Sequence, residues 1–251
     1  MVEHDQDWTL RYSRHLALPE FGMAAQERLA ASSILVVGLG GLGSPAALYL
    51  AAAGVGTLLL NDFDTVDLSN LQRQILFRET DAGRPKTDAA AAALAALNPA
   101  CKLERLEGRL DQVGLREALS RSDLVLDGSD NFGTRFAVNQ ACVIAGKPVV
   151  SGAALRYEGQ LSVFDPRDGA CPCYACLYPE SGEELEDCRR NGVLAPLTGV
   201  IGSLMAVEAL KLLTGTGTPM TGKLLRYDVL EGDIRYTTVR RDPACPVCKQ
   251  R

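Results

Sequence analysis

Short apolar runs that end in glycine or a polar residue alternate with alanine- and leucine-rich stretches along the first 150 residues. The runs have the length and composition of buried parallel strands. They lie at residues 33–37, 57–60, 124–126 and 148–150. Helices are predicted over residues 8–30, 44–53, 86–97 and 134–145. This alternation predicts an α/β fold with a doubly wound, mostly parallel sheet.

The pattern changes after Ser151. Strand character recurs at residues 160–164, 223–229 and 234–239, which predicts antiparallel strands that extend the same sheet. Residues 179–191 are charged and lack apolar periodicity, so we interpret them as a mobile surface loop. The whole chain, residues 1–251, is predicted to form a single domain.

Composition narrows the possible functions. A net charge of −5 argues against an extended basic surface for nucleic acid. The acidic N-terminus does not resemble a secretory signal. The apolar stretch 34–60 is interrupted by glycines and a proline, and the apolar stretch 197–213 contains Glu208 and Lys211. Both are therefore predicted to be buried core rather than membrane spans. A cytoplasmic location is expected.

A glycine-rich loop joins the first predicted strand to the helix that follows it. Gly38, Gly40, Gly41 and Gly43 allow a sharp turn, and the helix N-terminus offers N–H groups to a phosphate. Asp62, at the end of the second strand, stands where an acidic residue commonly binds ribose hydroxyls. These features predict a Rossmann-like nucleotide site and fit NAD as well as ATP. A turn with no ligand is the alternative.

Cations after the second strand favour a triphosphate. Arg73 and Lys86 would neutralise phosphate charge, whereas a dinucleotide needs few cations beyond its glycine loop. Asp130 follows a later strand and is a candidate magnesium ligand. The alternatives are ordinary surface charges for Arg73 and Lys86, and a helix-capping role for Asp130.

Two C-x-x-C pairs predict a metal site. Cys173 and Cys176, with Cys245 and Cys248, supply four thiolates for a closed tetrahedral zinc site of structural type, a four-cysteine zinc knuckle. Disulfides are the alternative, which a reducing compartment disfavours. Cys171 is a possible competing ligand with poorer spacing.

Taken together, these motifs resemble the bacterial MoeB/ThiF (HesA) adenylyltransferases, relatives of the ubiquitin-activating enzymes. The resemblance runs from Arg11 to the last cysteines. Residues 151–154 and 158–160 are more similar to the molybdopterin-synthase branch than to the thiamine branch. The nucleotide-binding residues that the resemblance and the motifs imply are Gly38, Gly40, Gly41, Gly43, Asp62, Ser69, Asn70, Leu71, Gln72, Arg73, Lys86, Asp130 and Asn131.

The resemblance also implies an activity and its partners. The substrate would be a ubiquitin-like sulfur-carrier protein ending in Gly-Gly, whose terminal carboxylate attacks the α-phosphorus of ATP and releases pyrophosphate. Residues 1–150 would bind the nucleotide, and residues 151–251 would bind the carrier and zinc. Arg73 and Lys86 would hold the phosphates, Asn70 would help to position them and Asp130 would hold Mg²⁺. Arg14 would reach in from the second subunit of a homodimer.

Several alternatives stay open at this stage. The carrier would be the small subunit of molybdopterin synthase or the thiamine sulfur carrier, and in the second case Cys188 would take part in a covalent step. Two adjacent arginines would lower the pKa of the Cys188 thiol. A separate protein is expected to donate the sulfur, since the sequence shows no rhodanese-like region. A NAD-dependent oxidoreductase and a non-catalytic scaffold for a ubiquitin-like protein are the rival functions, and no nucleic acid or membrane partner is expected.

Overall fold

The computed structural model describes residues 6–178 and 192–249. Within them the β-strands are β1 Ser33–Val37, β2 Thr57–Asn61, β3 Lys102–Leu106, β4 Leu124–Asp127, β5 Val149–Leu155, β6 Glu158–Phe164, β7 Lys223–Asp228 and β8 Asp233–Thr238. They form one sheet in the order β3-β2-β1-β4-β5-β6-β7-β8. The first five strands in that order are parallel, and β6, β7 and β8 are antiparallel to their neighbours. The predicted fold class is confirmed.

Helices cover the parallel part of the sheet. Those of the described residues are α1 Gln6–Arg11, α2 Ser13–Leu16, α3 Gly22–Ala30, α4 Gly43–Ala53, α5 Lys86–Leu97, α6 Gln112–Ser120, α7 Phe132–Ala145, α8 Tyr174–Leu177 and α9 Ala195–Thr214. One core contains residues of α4, α5 and α9, and a second core on the other face contains residues of α6 and α7. Alternate residues of β1 enter the two cores, which is why this strand is apolar on both faces.

Most predicted elements are present, and two of the differences have physical reasons. The helix predicted over residues 8–30 is broken into α1, α2 and α3, with Tyr12 buried between the first two, where Asn98 donates to its hydroxyl. Strand β3 was missed because three of its five residues are charged, as suits the edge of a sheet. Helix α6 was also missed, although Leu115, Ala118 and Leu119 bury one side of it. The segment 179–191, predicted to be a loop, lies outside the described residues.

Helix α9, with 20 residues, is the longest of the described helices. It is long and apolar enough to cross a membrane, but half of its apolar stretch is buried inside the protein. Such features alone are a weak indication of a span. Leu197, Ile201 and Met205 pack in the first core, and buried Glu208 accepts from the Met220 N–H and pairs with Lys211. The prediction of a buried core helix is confirmed.

Close contact between α9 and the N-terminal end of α4 depends on a glycine. A Cβ on Gly202 would lie 2.4 Å from the carbonyl oxygen of Leu42 and 2.6 Å from the side chain of Pro45. Leu42 belongs to the glycine-rich loop. Gly202 therefore lets α9 fix the loop from the side opposite the sheet.

We expect Gly202→Ala to lower the free energy of unfolding by about 1–3 kcal/mol, because the added methyl group overpacks the contact with Leu42. Gly199→Ala is the matched control in the same helix, since nothing lies within 4 Å of its added Cβ. The control should raise stability by about 0.5–1 kcal/mol through helix propensity. Urea denaturation measures both changes. Equal stability of the two variants would contradict the close contact.

Candidate functional site

A first cavity of about 430 Å³ opens at the carboxyl ends of β1, β2 and β4. Strand β1 pairs with β2 on one side and β4 on the other, so the chain direction of the connections reverses there. Ligands of doubly wound sheets bind at such a switch point. The predicted nucleotide-binding residues that line this cavity are Gly38, Gly40, Gly41, Asp62, Gln72, Arg73, Lys86, Asp130 and Asn131.

Other predicted residues do not line the first cavity. Gly43 instead allows close packing, since a Cβ there would lie 1.8 Å from the carbonyl oxygen of Gly38. Ser69 and Asn70 form a 3₁₀ turn, and Leu71, which follows it, packs against the first core. The Asn70 side chain accepts from the N–H of Asp67, which caps that turn. These residues support the wall that carries Gln72 and Arg73.

Arg14 lies elsewhere. It is exposed on α2 and lines a shallow hollow together with Arg11, Tyr49 and Val207. It is therefore not brought together with the first cavity of its own chain.

Asp62 holds the glycine loop in place. Its carboxylate accepts from the backbone N–H of Leu39 at 2.7 Å and from that of Asp64 at 2.9 Å. Burial raises the pKa of Asp62, and the nearby Lys86 ammonium offsets this only in part. The loop turns back on itself at Gly38, where a φ of +84° favours glycine. Ser44 closes the turn by donating to the carbonyl oxygen of Leu39 at 2.7 Å.

Two cationic side chains line the cavity, and they differ in whether carboxylates lie next to them. Lys86 is buried at the start of α5, and its Nζ lies 3.2 Å from Asp64 and 3.8 Å from Asp62. Arg73 is half-buried and donates to the carbonyl oxygen of Ser69 at 3.1 Å. Among the described residues, Arg73 has no carboxylate partner. An anion in this cavity would therefore meet one unneutralised guanidinium and one ammonium that carboxylates already hold in position.

The loop between β4 and α7 decides whether Asp130 caps the following helix. Asn131, not Asp130, caps α7, since its side chain accepts from the N–H of Thr134 at 2.9 Å. Buried Asp127 shapes the same loop by accepting from the N–H and hydroxyl of Ser129. The carboxylate of Asp130 thus has no capping role and lies in the cavity wall.

A second cavity of about 480 Å³ lies beside the first and shares Asp130, Arg135 and Ala154 with it. Its other walls come from β5 and β6 and from Tyr174 and Tyr178. Arg135 is buried and donates to the carbonyl oxygens of Ser129 and Gly152, so it joins the Asp130 loop to β5. The two cavities therefore meet at a carboxylate and a guanidinium.

The sequence did not single out Arg135 or Gln74. Gln74 lines the first cavity and is almost fully buried, and its Oε1 has no hydrogen-bond partner among the described residues. Its Nε2 lies 3.7 Å from the position that a Cβ on Gly40 would take. Unpaired buried polar groups are rare and require an explanation, such as a bound ligand. Position 74 directly follows the predicted Arg73, whereas nothing in the sequence pattern marks Arg135.

The four cysteines of the two C-x-x-C pairs come together. Sγ–Sγ distances are 3.9 Å for Cys173–Cys176, 3.7 Å for Cys173–Cys245 and 3.5 Å for Cys176–Cys248. Zinc–sulfur bonds of about 2.3 Å give a tetrahedron with edges of about 3.8 Å. A disulfide needs about 2.05 Å. The cluster could therefore hold a zinc ion, and its distances exclude disulfides among these pairs.

The thiols of the cluster differ in their electrostatics, because burial raises the pKa of Cys173 and of Cys176. The N–H of Asp242 points to the Sγ of Cys176 at 3.5 Å. Burial disfavours the Cys248 thiolate, but Arg241 and the other cysteines outweigh burial and lower its pKa to about 7. The competing Cys171 lies outside the cluster, where it accepts from the N–H of Asp165. The cluster thus ties the C-terminal residues of the described chain to α8.

Comparisons with known proteins agree with this geometry. The model of the ThiF family matches residues 12–247. The chain is 47% identical over 250 residues to the molybdopterin-synthase adenylyltransferase of Escherichia coli, with all of both chains covered. It is 46% identical over 247 residues to the ThiS adenylyltransferase of the same organism, covering 98% of this chain and 96% of that relative.

A solved structure extends the comparison to a nucleotide complex. The crystal structure of Escherichia coli MccB with ATP superposes with a TM-score of 0.82 at 25% identity, and the match covers 95% of this chain and 74% of that chain. The fold described above is therefore shared with a protein whose structure was solved with ATP.

We expect the purified protein to contain about one zinc ion per chain, and Cys245→Ser to lose it, because three thiolates cannot close the tetrahedron. Cys171→Ser is the matched control and should keep zinc. Metal analysis by mass spectrometry measures both. Chelation of zinc from the native protein should also lower its melting temperature, since structural zinc contributes to folding. Zinc-free native protein with an unchanged melting temperature would contradict this assignment.

Proposed function

The chain belongs to the ThiF family, and we propose that it adenylates the C-terminal carboxylate of a ubiquitin-like sulfur-carrier protein with ATP and releases pyrophosphate. One observation carries the proposal: a phosphate-type loop with Arg73 and Lys86 lies in a cavity that meets a second cavity at Asp130. A reaction between a nucleotide and a second substrate needs two such sites in contact.

ATP would occupy the first cavity. Its phosphates would lie on the N–H groups of the glycine loop and the start of α4, with Arg73 and Lys86 beside them. Asp62 would bind the ribose. Mg²⁺ would be held by Asp130, the carboxylate at the meeting point of the cavities, and would neutralise phosphate charge. A NAD-dependent oxidoreductase would have little need for these cations, and the relatives are named adenylyltransferases.

The carrier tail would enter the second cavity. Small residues of β5 line it at Gly152, Ala153 and Ala154, which suits an extended chain ending in glycines. Exposed apolar side chains, Tyr157 and Leu230, lie in its wall and would contact the body of the carrier. The terminal carboxylate would then approach Asp130 with Arg135 nearby, where the guanidinium offsets the repulsion between carboxylate and phosphates.

The chemistry needs positioning and charge stabilisation more than proton transfer. A carboxylate oxygen bonds to the α-phosphorus as the bond to the pyrophosphate oxygen breaks, and Arg73 and Lys86 stabilise the negative charge on the departing group. A terminal carboxylate has a pKa of about 3.5, so at neutral pH it is already ionised and needs no general base. Accordingly, no histidine of the described residues lines either cavity, and His15 instead bonds to Gln26.

We also propose a homodimer. Arg14 is exposed and does not reach its own first cavity, which is consistent with a role in the cavity of a second copy. The proposed zinc in the cysteine cluster would be structural, because all four ligands come from protein. A cytoplasmic location fits, since a reducing compartment keeps the four thiols available to the metal.

The small subunit of molybdopterin synthase is the proposed carrier. Residues 151–154, 158 and 160, on which the resemblance to the molybdopterin branch rests, line the second cavity, where the tail would bind. The second candidate is the thiamine carrier ThiS, since a relative named for it is 46% identical. A covalent role for Cys188 in that case stays a prediction, because Cys188 lies outside the described residues. The scaffold hypothesis is disfavoured by the presence of Arg73, Lys86 and Asp130 in one site.

ATP–pyrophosphate exchange with magnesium tests this function. We expect exchange that requires one intact carrier and is lost when its last glycine is removed, because the reacting carboxylate is then misplaced. Arg73→Ala should lower the exchange rate about a hundredfold or more, since a charge-stabilising group is lost. Arg116→Ala, an exposed arginine on α6 outside the described cavities, is the matched control. ATP binding without exchange for either carrier would contradict adenylation and favour a scaffold.

A further inference from the structure

The walls of the first cavity differ in chemistry on the two sides of the sheet. Lys86 and the glycine loop lie at the start of α5 and α4, the helices of the first core. Val37, Leu115 and Val138 line the opposite side and belong to the second core, with α6 and α7. If the phosphates of ATP bind the cationic side, as proposed above, the base faces the apolar side. The inference below therefore rests on the proposed function.

A guanidinium group lies over an aromatic ring next to Leu110, which packs against the second core and lines the cavity. The Cζ of Arg109 is 4.4 Å from the ring centroid of Phe63, and both residues line the cavity. Phe63 is 46% exposed, a large fraction for an apolar ring beside a cavity. Stacking on a guanidinium is favourable, yet it leaves the second face of that planar group uncovered.

The segment that carries Arg109 is held in place by two features. Buried Asn61, at the end of β2, donates from Nδ2 to the carbonyl oxygens of Leu106 at 3.2 Å and Gly108 at 2.9 Å. Gly108 has a φ of +68°, so the chain turns there in a conformation that favours glycine. These contacts fix the backbone next to Arg109 relative to the strand that leads to Phe63. The side chain of Arg109 itself has no hydrogen bond or ion pair among the described residues.

We propose that Arg109 contacts the base of the bound nucleotide, with one face of its guanidinium on Phe63 and the other on the purine. Together the two side chains close the base side of the cavity. Arg109 is thus a base-binding residue, separate in role from Arg73 and Lys86, which would contact phosphates. Its charge is already in place before ATP arrives, because the segment that carries it is tied to β2.

Calorimetric titration of the full-length protein with magnesium and two ligands tests this role. ATP contains the base, whereas inorganic tripolyphosphate lacks it. We expect Arg109→Ala to weaken ATP binding about three- to tenfold, as for a lost stacking contact, and to leave tripolyphosphate binding almost unchanged. Arg109→Lys, which keeps the charge but not the planar group, should recover only part of the loss. Arg116→Ala controls for the loss of one positive charge, and Arg109 is exposed, so folding should survive.

The outcomes separate this role from the alternatives. Equal ATP affinity of Arg109→Ala and the native chain would overturn the role of Arg109 and leave the proposed function intact. Equal losses for ATP and tripolyphosphate would also overturn it, because they would place Arg109 on the phosphates. A native chain that binds tripolyphosphate but gains nothing from the base would overturn both the ATP site and the role of Arg109. In steady-state exchange assays, Arg109→Ala should raise the KM for ATP and leave the KM for the carrier unchanged.

Discussion

The close approach of backbone segments at the carboxyl edge of the sheet is the constraint on which the site depends. A Cβ on Gly43 would collide with the carbonyl oxygen of Gly38, and one on Gly38 would lie 3.0 Å from that of Gly128. Glycine at these positions lets the loops after β1 and β4 touch, which places Asp130 beside the phosphate-type loop. Gly202 extends the same packing to α9. These glycines therefore determine the shape of the cavity, in addition to any contact that they would make with phosphate.

The two halves of the chain contribute walls to two adjoining cavities. The loops after β1, β2 and β4 line the first cavity, and β5 with its antiparallel neighbour β6 supplies walls of the second. Arg135 links the two halves of the chain by donating hydrogen bonds to the carbonyl oxygens of Ser129 and Gly152. The cysteine cluster ties the C-terminal segment to α8, whose Tyr174 lines the second cavity. A structural metal in the cysteine cluster would therefore stabilise one wall of the second cavity without lining that cavity itself.

The sequence predicted the parts of this structure that follow a simple period or a close spacing. The buried strands, the helix Lys86–Leu97 and the four zinc-type ligands were located because apolar runs and C-x-x-C pairs have strong local signals. Strand β3 was missed because an edge strand need not be apolar. Arg135 and Arg109 were missed because their contacts are with distant segments that the fold brings together. The alternative of a capping role for Asp130 was wrong, since its neighbour Asn131 caps the helix. Asn70 lies in the predicted motif, but its side chain caps a turn outside the cavity.

Isotope transfer tests the central claim, attack of the carrier carboxylate on the α-phosphorus, most directly. A carrier labelled with ¹⁸O in its terminal carboxylate would be incubated with ATP, magnesium and the native enzyme, and the adenylate then cleaved at its carbonyl carbon by hydroxylamine. The account predicts AMP that carries one ¹⁸O atom, since the attacking oxygen stays on phosphorus, together with unlabelled pyrophosphate. ADP with labelled inorganic phosphate would show attack on the γ-phosphorus instead. That result would contradict the account, whatever the affinity of the chain for ATP.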